Sequence, residues 1–134
     1  MTVILCVDDR FGMLFNRRRL SRDSAVTEDI VNGLSGGRLF LCDMSESLFK
    51  SAENTLVCED FLEKAGENDF CFVEDRDIAP YVKKIDKIVL YHWNRAYPSD
   101  LCFDPVLLQA FRLRERVDFK GSSHEKITKE VYER

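Results

Sequence analysis

The residues best suited to chemistry in this sequence are arginines that stand close together near its N-terminus: Arg10, Arg17, Arg18, Arg19 and Arg22. A guanidinium group forms planar, paired hydrogen bonds with a phosphate or a carboxylate. The cluster therefore predicts an anion site at the lip of a pocket. The alternative is a solvated loop whose arginines pair with nearby carboxylates. Nucleic acid is the weaker candidate ligand, because no aromatic residues alternate with the arginines.

Three carboxylates accompany these arginines. Asp8 and Asp9 end a short apolar run, and Asp23 precedes a helical pattern. Together with the arginines of segment 17–22, they could serve a hydrolase or transferase acting on a phosphate-containing or nucleic-acid substrate, or hold Mg²⁺. Asp23 has a second interpretation, because aspartate is a favoured N-cap residue at the start of a helix.

The two histidines do not indicate a metal site. His92 lies in a strand-like segment, where a packed and hydrogen-bonded side chain is expected. His124 lies in a polar turn and is expected at the surface. No ligand spacing such as His-Glu-x-x-His is present, so we predict no metal and assign no catalytic residue. P-loops, Gly-x-Gly-x-x-Gly turns and Gly-x-Ser-x-Gly elbows are also absent from the sequence.

Length and composition favour a single domain that covers residues 1–134. The chain has 45% apolar residues, 33% charged residues and a formal net charge of -4, which excludes a disordered chain and a protein that wraps a polyanion. The apolar run at residues 3–7 is too short for a secretory signal or a membrane span. Five scattered cysteines without a Cys-x-x-Cys pair favour a reducing compartment. We therefore predict a cytoplasmic protein without membrane contact.

Hydrophobic periodicity and turn residues predict alternating strands and short helices. The predicted strands are residues 2–7, 38–42, 55–58, 69–73, 87–93 and 111–119. The predicted helices are residues 23–34, 45–52 (capped by Ser45) and 78–85. Residues 8–20 are predicted to form a loop in which Gly12 can take a positive φ angle. The tail at 126–132 fits a helix or a strand, and the turn before it favours a hairpin. Segment 111–119 alternates so cleanly that one face should be buried.

Three stretches resemble dihydrofolate reductase. Residues 9–13 and 20–23 are similar to its first strand, substrate loop and first helix. Residues 87–93, which follow a short helix carrying Tyr81, are similar to a central strand of that family. Residues 111–119 and 126–132 are similar to the family's C-terminal hairpin. The resemblance implies an α/β domain of three layers: a mixed, mostly parallel central sheet, short helices on both faces and a C-terminal antiparallel hairpin.

The departures from the family affect its cofactor site. In place of its glycine-rich phosphate turn stands segment 72–77, which carries Glu74, Asp75 and Asp77. In place of its second phosphate turn stands segment 41–46, which adds Asp43 and Glu46. These carboxylates would repel a pyrophosphate at short range. We therefore predict no NADPH cofactor and no reductase activity.

The resemblance also implies a site for a small anionic or heterocyclic ligand. In the family an acid at the position of Asp23 faces the ligand, and a threonine at the position of Tyr91 supports it. The predicted ligand-binding residues are Asp23, Tyr91, Arg10, Arg17, Arg18 and Arg19. The main hypothesis is a pseudoenzyme that acts as a small-ligand-binding or interaction module. The alternatives are the hydrolase or transferase above, and a homo-oligomer with Trp93, Tyr97 and Phe103 exposed.

Overall fold

The computed structural model describes every residue from Met1 to Arg134 and contains two β-sheets. The strands of the larger sheet are β1 (Thr2–Val7), β4 (Leu39–Leu41), β5 (Thr55–Val57), β6 (Phe70–Phe72), β7 (Lys87–His92), β9 (Arg112–Phe119) and β10 (Ile127–Glu133). Their order across the sheet is β5–β4–β6–β1–β7–β10–β9. The smaller sheet consists of β2 (Gly12–Phe15), β3 (Arg18–Arg19) and β8 (Leu101–Cys102), in the order β3–β2–β8.

The central strand β1 separates two apolar clusters. It runs parallel to β6 on one side and to β7 on the other. Val3, Leu5 and Val7 belong to one buried cluster, whereas Ile4 belongs to the other, because successive side chains of a strand point to opposite faces. A strand buried on both faces reads as a continuous apolar run, which is the pattern that predicted it.

Helices cover both faces of the larger sheet. Helix α1 (Ser24–Gly33) packs Val26 and Ile30 on the Ile4 face. The short helix α2 (Phe61–Lys64) packs its first two residues on the opposite face. Three 3₁₀ helices complete the layers: Asp43–Phe49, Ala79–Lys84 and Pro105–Ala110. The predicted three-layer α/β architecture is confirmed. None of these helices has the length and apolar character needed to span a bilayer.

The sheet is mixed because its last two strands reverse direction. Strands β5, β4, β6, β1 and β7 are parallel to one another. Strand β10 is antiparallel to both β7 and β9, so the C-terminal hairpin is confirmed and the helical alternative for the tail is wrong. The reversal lets β10 join the sheet through a tight turn, whereas a parallel strand would need a long crossover.

The predicted loop at 8–20 is wrong, because it contains the hairpin of β2 and β3. The two-residue turn between these strands is Asn16-Arg17, with φ angles of 50° and 63°. Such left-handed pairs match the twist of a β-hairpin, and asparagine is favoured there. Gly12 does not use the positive φ angle that is open to a glycine. A side chain at Gly12 would instead collide with Ser99, since its Cβ would lie 2.6 Å from the Ser99 Oγ.

The predicted half-burial of β9 is wrong. Leu113 is 44% exposed and Val117 is 42% exposed, although both lie on the alternating apolar face. Strand β9 is at the edge of the sheet, and no helix covers either of its faces. Alternation identifies the side chains that share a face, but it does not show whether another layer covers that face. The charged residues of β9 are typical of an exposed sheet edge.

Candidate functional site

The carboxyl ends of the parallel strands β4, β6, β1 and β7 lie along one edge of the larger sheet. Ligands of open α/β sheets bind outside this edge. Acidic residues follow three of the strands: Asp43 follows β4, Glu74 follows β6 and Asp8 follows β1. Trp93 follows β7. The positions of these side chains determine what the edge can bind.

Glu74 is held by an arginine and a serine from two other segments. Nε and Nη2 of Arg19 donate to its carboxylate at 2.9 and 3.0 Å. The hydroxyl of Ser45 donates to the same carboxylate at 2.7 Å, and Arg19 also donates to the carbonyl oxygen of Met44 at 2.6 Å. Glu74 is only 8% exposed. The hydrogen bonds that Arg19 donates to Glu74 raise the pKa of Arg19, although burial opposes this, so the guanidinium stays charged. We call this group of contacts the Arg19–Glu74 bridge.

The position of Ser45 corrects a prediction. The sequence places it at the cap of a helix over 45–52, but the 3₁₀ helix begins earlier, at Asp43, and no side chain caps it. Ser45 is therefore inside the first turn of that helix. Its hydroxyl is buried and donates to Glu74 instead of accepting a backbone N–H at the start of the helix.

Asp8 forms a structural site. Its carboxylate accepts backbone N–H groups of Arg10 at 2.9 Å, Gly12 at 2.7 Å and Tyr97 at 2.9 Å, and the residue is 1% exposed. Burial alone would raise the pKa of Asp8, but these three hydrogen bonds outweigh it and hold the pKa below its usual value. The neighbouring Asp9 is exposed. Asp8, Asp9 and Asp23 therefore do not converge, and the structure contains no group of three His, Cys, Asp or Glu residues arranged to hold a metal.

Asp23 both caps helix α1 and anchors the turn of the C-terminal hairpin. Its Oδ1 accepts the backbone N–H of Ala25 at 2.9 Å, which is the capping bond. The same oxygen accepts the N–H of Ser122 at 2.8 Å, and Oδ2 accepts the N–H of Ser123 at 2.9 Å. Burial alone would raise the pKa of Asp23, but the donors from Ser122, Ser123 and His124 outweigh it and hold the pKa far below its usual value.

Gly121 allows the turn to approach this carboxylate. A Cβ at residue 121 would lie 2.5 Å from Oδ2 of Asp23 and 2.9 Å from the carbonyl oxygen of His124. Real Cβ atoms do not approach other heavy atoms so closely, so only glycine fits without a shift of the backbone. The glycine before the serine pair is therefore part of the Asp23 site.

His124 is buried, so the predicted surface position is wrong. The residue is 4% exposed, and Nδ1 lies 2.9 Å from Oδ2 of Asp23. Nε2 lies 3.0 Å from Oγ of Ser21 and 3.3 Å from the hydroxyl of Tyr97. The imidazole stacks on Trp93 with a centroid distance of 4.8 Å and an interplanar angle of 23°. Each ring nitrogen therefore has an oxygen partner in a largely water-free environment.

The same contacts correct the prediction of exposed aromatics. Trp93 is 5% exposed and Phe103 is 3% exposed, while Tyr97 is half-buried. Trp93 is covered by the hairpin turn that carries His124, and Phe103 belongs to the apolar cluster on the Val3 face. These side chains do not form an exposed apolar patch.

A cleft runs between α1 and the 3₁₀ helix Asp43–Phe49. Its mouth has a volume of about 250 Å³ and is lined by Arg22, Asp23, Ser24, Thr27, Glu28, Ser47, Leu48 and Ser51. An inner recess of about 20 Å³ shares Arg22, Asp23, Thr27 and Leu48 with the mouth. The recess is also lined by Cys6, Ser21, Val26, Ile30, Phe49, Phe72, Glu74 and Trp93. We call the two parts together the α1 cleft.

The structure separates the ligand-binding residues that the sequence predicted. The side chains of Arg10, Arg17 and Arg18 are exposed, whereas Arg19 turns inward to Glu74. Asp23 borders the α1 cleft. Tyr91 lies elsewhere: its hydroxyl donates to Asp29 at 2.6 Å, and burial together with this contact raises the pKa of Tyr91. Tyr91 borders a separate groove of about 360 Å³, so neither cavity brings Asp23 and Tyr91 together.

This architecture was compared with those of known proteins. No family model matches the sequence, and no curated protein matches it. Among solved structures, the dihydrofolate reductase of Enterococcus faecalis, complexed with NADP(H) and RAB-propyl, aligns over 99% of this chain and 95% of that chain, with a TM-score of 0.72. This chain has a dihydrofolate reductase-like fold. The sequence identity is 11%, so the comparison establishes the fold alone, and the predicted resemblance in fold is confirmed.

Sequence reasoning missed Ser21 and His124 as neighbours. Their side chains meet although they are 103 positions apart, and neither belongs to a recognised spacing pattern. The only local signal is the Gly-Ser-Ser turn directly before His124, whose small residues allow close approach to another element. Periodicity within a segment gives no information about which distant turn meets a helix start.

Proposed function

We propose that this protein uses its dihydrofolate reductase-like scaffold without reductase activity, as a module that binds a small ligand in the α1 cleft. The observation that carries the proposal is the Arg19–Glu74 bridge. Its carboxylate belongs to Glu74, within segment 72–77, where the resemblance implies a turn that binds the dinucleotide. A buried carboxylate paired with Arg19 therefore stands on the segment that would have to admit a pyrophosphate.

Electrostatics support this proposal. Glu74 is 8% exposed, and the charge of a carboxylate is screened weakly by solvent at such a site. A pyrophosphate that approached segment 72–77 would meet Glu74 paired with Arg19 and Asp75 paired with Arg76, which donates to it at 2.8 and 3.0 Å. It would have to compete with these two carboxylates for their guanidinium groups. If the pyrophosphate displaced Arg19 from Glu74, a buried carboxylate would lose its charged partner, which is costly.

The α1 cleft supports the binding part of the proposal. Hydroxyl groups of Ser24, Thr27, Ser47 and Ser51 line its mouth beside the guanidinium of Arg22. The carboxylates of Asp23 and Glu28 line the same mouth, so it suits a small polar ligand that bonds to the hydroxyls and directs any anionic group at Arg22. The inner recess of about 20 Å³ is close to the volume that one water needs, so a large ring system does not fit there. A compact ligand seated in the mouth is therefore the occupant that we infer.

The rival enzyme, which would combine Asp8, Asp9 and Asp23 with the arginines, gains no support. All oxygens of Asp8 and Asp23 already accept hydrogen bonds within the protein. Arg17 and Arg18 are exposed at the β2–β3 turn and in β3. A phosphate held by these groups would have no common point to occupy.

Thermal-shift measurements with NADPH test the cofactor part of the proposal. We expect no rise in Tm at millimolar NADPH. Stabilisation by a ligand grows with the ratio of its concentration to Kd, and under this proposal the Kd for NADPH is far above millimolar. The Enterococcus faecalis dihydrofolate reductase, treated identically, is the positive control. A saturable rise in Tm of this protein with NADPH would overturn the proposal.

Chemical-shift mapping tests the cleft part. A panel of small anions and heterocycles is titrated into ¹⁵N-labelled protein, and the shifted amides should cluster at α1 and the 3₁₀ helix Asp43–Phe49. The variant Arg22→Gln should weaken binding of an anionic hit, while Arg18→Gln, which changes an exposed arginine away from the cleft, should bind normally. Equal weakening by both variants, or shifts confined to another surface, would contradict the assignment to the cleft.

A further inference from the structure

Ser21, His124 and Asp23 form a continuous chain of hydrogen-bonding groups beside the α1 cleft. The hydroxyl of Ser21 lies 3.0 Å from Nε2 of His124, and Nδ1 of the same ring lies 2.9 Å from Oδ2 of Asp23. A hydroxyl, an imidazole and a carboxylate in this order are the groups of a serine nucleophile activated by a histidine base. The proposed ligand-binding function does not use this arrangement.

The chemistry of the partners fixes the proton positions. An ionised carboxylate only accepts hydrogen bonds, so Nδ1 of His124 must carry a hydrogen directed at Asp23. In the neutral ring Nε2 then has a free lone pair. The hydroxyls of Ser21 at 3.0 Å and Tyr97 at 3.3 Å both face it, and the closer one is that of Ser21. The low pKa of Asp23 keeps its carboxylate ionised at neutral pH. Asp23 is thus a positioning residue, which selects the tautomer of His124 that can remove a proton from Ser21.

We propose that Ser21 is an acyl-accepting nucleophile with His124 as its general base, and that the α1 cleft hydrolyses esters of small acyl groups. The inference goes beyond the proposed binding function, because it assigns a reaction to the cleft. It shares with that function only the requirement that a small molecule enters the cleft. The inner recess, about 20 Å³, admits no more than a group of about the size of one water, so only the methyl end of an acetyl group enters it and the rest of the ester lies in the mouth.

The reaction has two balanced steps. Oγ of Ser21 attacks the ester carbonyl, and its proton passes to Nε2 of His124. The new C–O bond gives an acetyl-serine as the old ester bond breaks, and the leaving alcohol takes the proton from His124. A water molecule then attacks the acetyl-serine while His124 accepts a proton from that water. The bond between the acetyl carbon and Oγ breaks, His124 returns the proton to Ser21, and acetic acid is released and ionises in solution.

The surroundings of the two reacting side chains fit these steps. Ser21 is half-buried and lines the recess, whereas His124 lies behind it and lines neither part of the cleft. The ring of Trp93, stacked on His124, favours the positive charge that the imidazole acquires. The backbone N–H of Arg22, which directly follows Ser21, donates to no protein atom. The N–H of the residue after the nucleophile is a recurrent donor to the oxyanion of an acyl transfer.

A purely structural role would explain much of this cluster but not all of it. The contacts of Asp23 with Ala25, Ser122 and Ser123 tie the hairpin turn to α1 without any help from Ser21. Ser21 forms one side-chain hydrogen bond, to Nε2 of His124, and this contact is only partly buried. The nucleophile can therefore be removed while the buried contacts of Asp23 remain.

Hydrolysis of p-nitrophenyl acetate by the full chain tests the proposal. We expect nitrophenolate release and, in acid-quenched samples, an acetyl group on Ser21 by peptide mass spectrometry. Ser21→Ala should lower the rate by about 100-fold or more, as expected when a base-assisted nucleophile is lost. Ser35→Gly, which removes an exposed serine just beyond α1 and outside the cleft, at a φ angle of 49° that glycine accepts, should keep the wild-type rate. An unchanged rate in folded Ser21→Ala, or acetyl found only on other side chains, would overturn the proposal.

The tautomer of His124 tests the role of Asp23. Imidazole ¹⁵N NMR of the wild-type protein should show the hydrogen on Nδ1, and Asp23→Asn should move it to Nε2, because an amide can donate to Nδ1. In that variant kcat should fall by about 100-fold or more with little change in KM. A hydrogen on Nε2 in the neutral ring of the wild-type protein would by itself overturn the assignment, whether or not the variant folds. Failure of these tests leaves the NADPH titration unaffected, because that titration depends on the Arg19–Glu74 bridge.

Discussion

Nδ1 of His124 lies 2.9 Å from Oδ2 of Asp23, although the two residues are 101 positions apart. This contact joins the turn of the C-terminal hairpin to the first turn of helix α1. It is one of several hydrogen bonds that converge on the Asp23 carboxylate, including those from Ser122 and Ser123. The stability of the hairpin turn and the geometry beside the α1 cleft therefore depend on one aspartate.

Replacement of Asp23 should destabilise the protein far more than loss of an ordinary helix cap. Asp23→Ala leaves buried donors of Ser122, Ser123 and His124 without an acceptor, so we expect a loss of about 3 kcal/mol in the free energy of unfolding. Asp104 is a matched control, because it caps a 3₁₀ helix at an exposed position through one bond to Val106. Asp104→Ala should cost about 1 kcal/mol. Urea unfolding measures both, and equal losses would contradict the assigned role of Asp23.

The low pKa of Asp23 predicts a specific pH dependence of stability. Because the folded state lowers this pKa, the stabilisation is complete above the unfolded value of about 3.9 and is lost as the pH falls below it. The difference in unfolding free energy between wild type and Asp23→Asn should therefore be constant from about pH 7 to pH 5 and shrink below pH 4. Other carboxylates titrate in both proteins, so the difference isolates Asp23. If the difference in unfolding free energy between the two proteins stayed constant down to pH 2, the titration of Asp23 could not be its cause.

The Arg19–Glu74 bridge should show strong energetic coupling. Glu74→Met leaves the guanidinium of Arg19 without its carboxylate and should cost about 3 kcal/mol, whereas Arg19→Met/Glu74→Met should recover part of that loss. A double-mutant cycle of these variants should give a coupling energy of about 2 kcal/mol. The exposed pair of Lys64 and Asp60 is the control, with an expected coupling below about 1 kcal/mol. Similar couplings for the two pairs would show that the bridge is an ordinary surface ion pair.

Two glycines should respond to alanine with opposite signs. Gly121→Ala would place a methyl group 2.5 Å from Oδ2 of Asp23, so the turn must shift and stability should fall by at least about 1–3 kcal/mol. Gly33 lies in α1 with no atom near its missing side chain, so Gly33→Ala should stabilise the protein by about 0.5–1 kcal/mol. Chemical denaturation of both variants measures these two changes in the free energy of unfolding. Tolerance of alanine at residue 121 would show that the turn does not press against Asp23.

The central part of the fold follows directly from the sequence. The runs that form β1 and β7 are apolar and β-branched, which predicts buried strands, and Asp23 with the apolar spacing of Val26 and Ile30 predicts α1. The hairpin of β9 and β10 follows from alternation and the glycine–serine turn. These elements carry their signal within a few neighbouring residues, so periodicity is sufficient to locate them.

The features that the sequence did not reveal depend on contacts between residues that are distant in the chain. The β2–β3 hairpin was missed because its strands have four and two residues, too few for a period to show. The burial of His124 depends on Asp23, Ser21 and Trp93, which come from three other parts of the chain. Likewise, the acids of segment 72–77 were visible in the sequence, but the inward turn of Arg19 onto Glu74 was not.

The central claim, that the Arg19–Glu74 bridge replaces a dinucleotide site, is tested most directly by isothermal titration calorimetry with NADPH. The account predicts no saturable heat of binding when millimolar NADPH is titrated into the wild-type protein, while the Enterococcus faecalis dihydrofolate reductase gives a binding isotherm under the same conditions. A saturable isotherm for this protein, with a stoichiometry near one, would contradict the account.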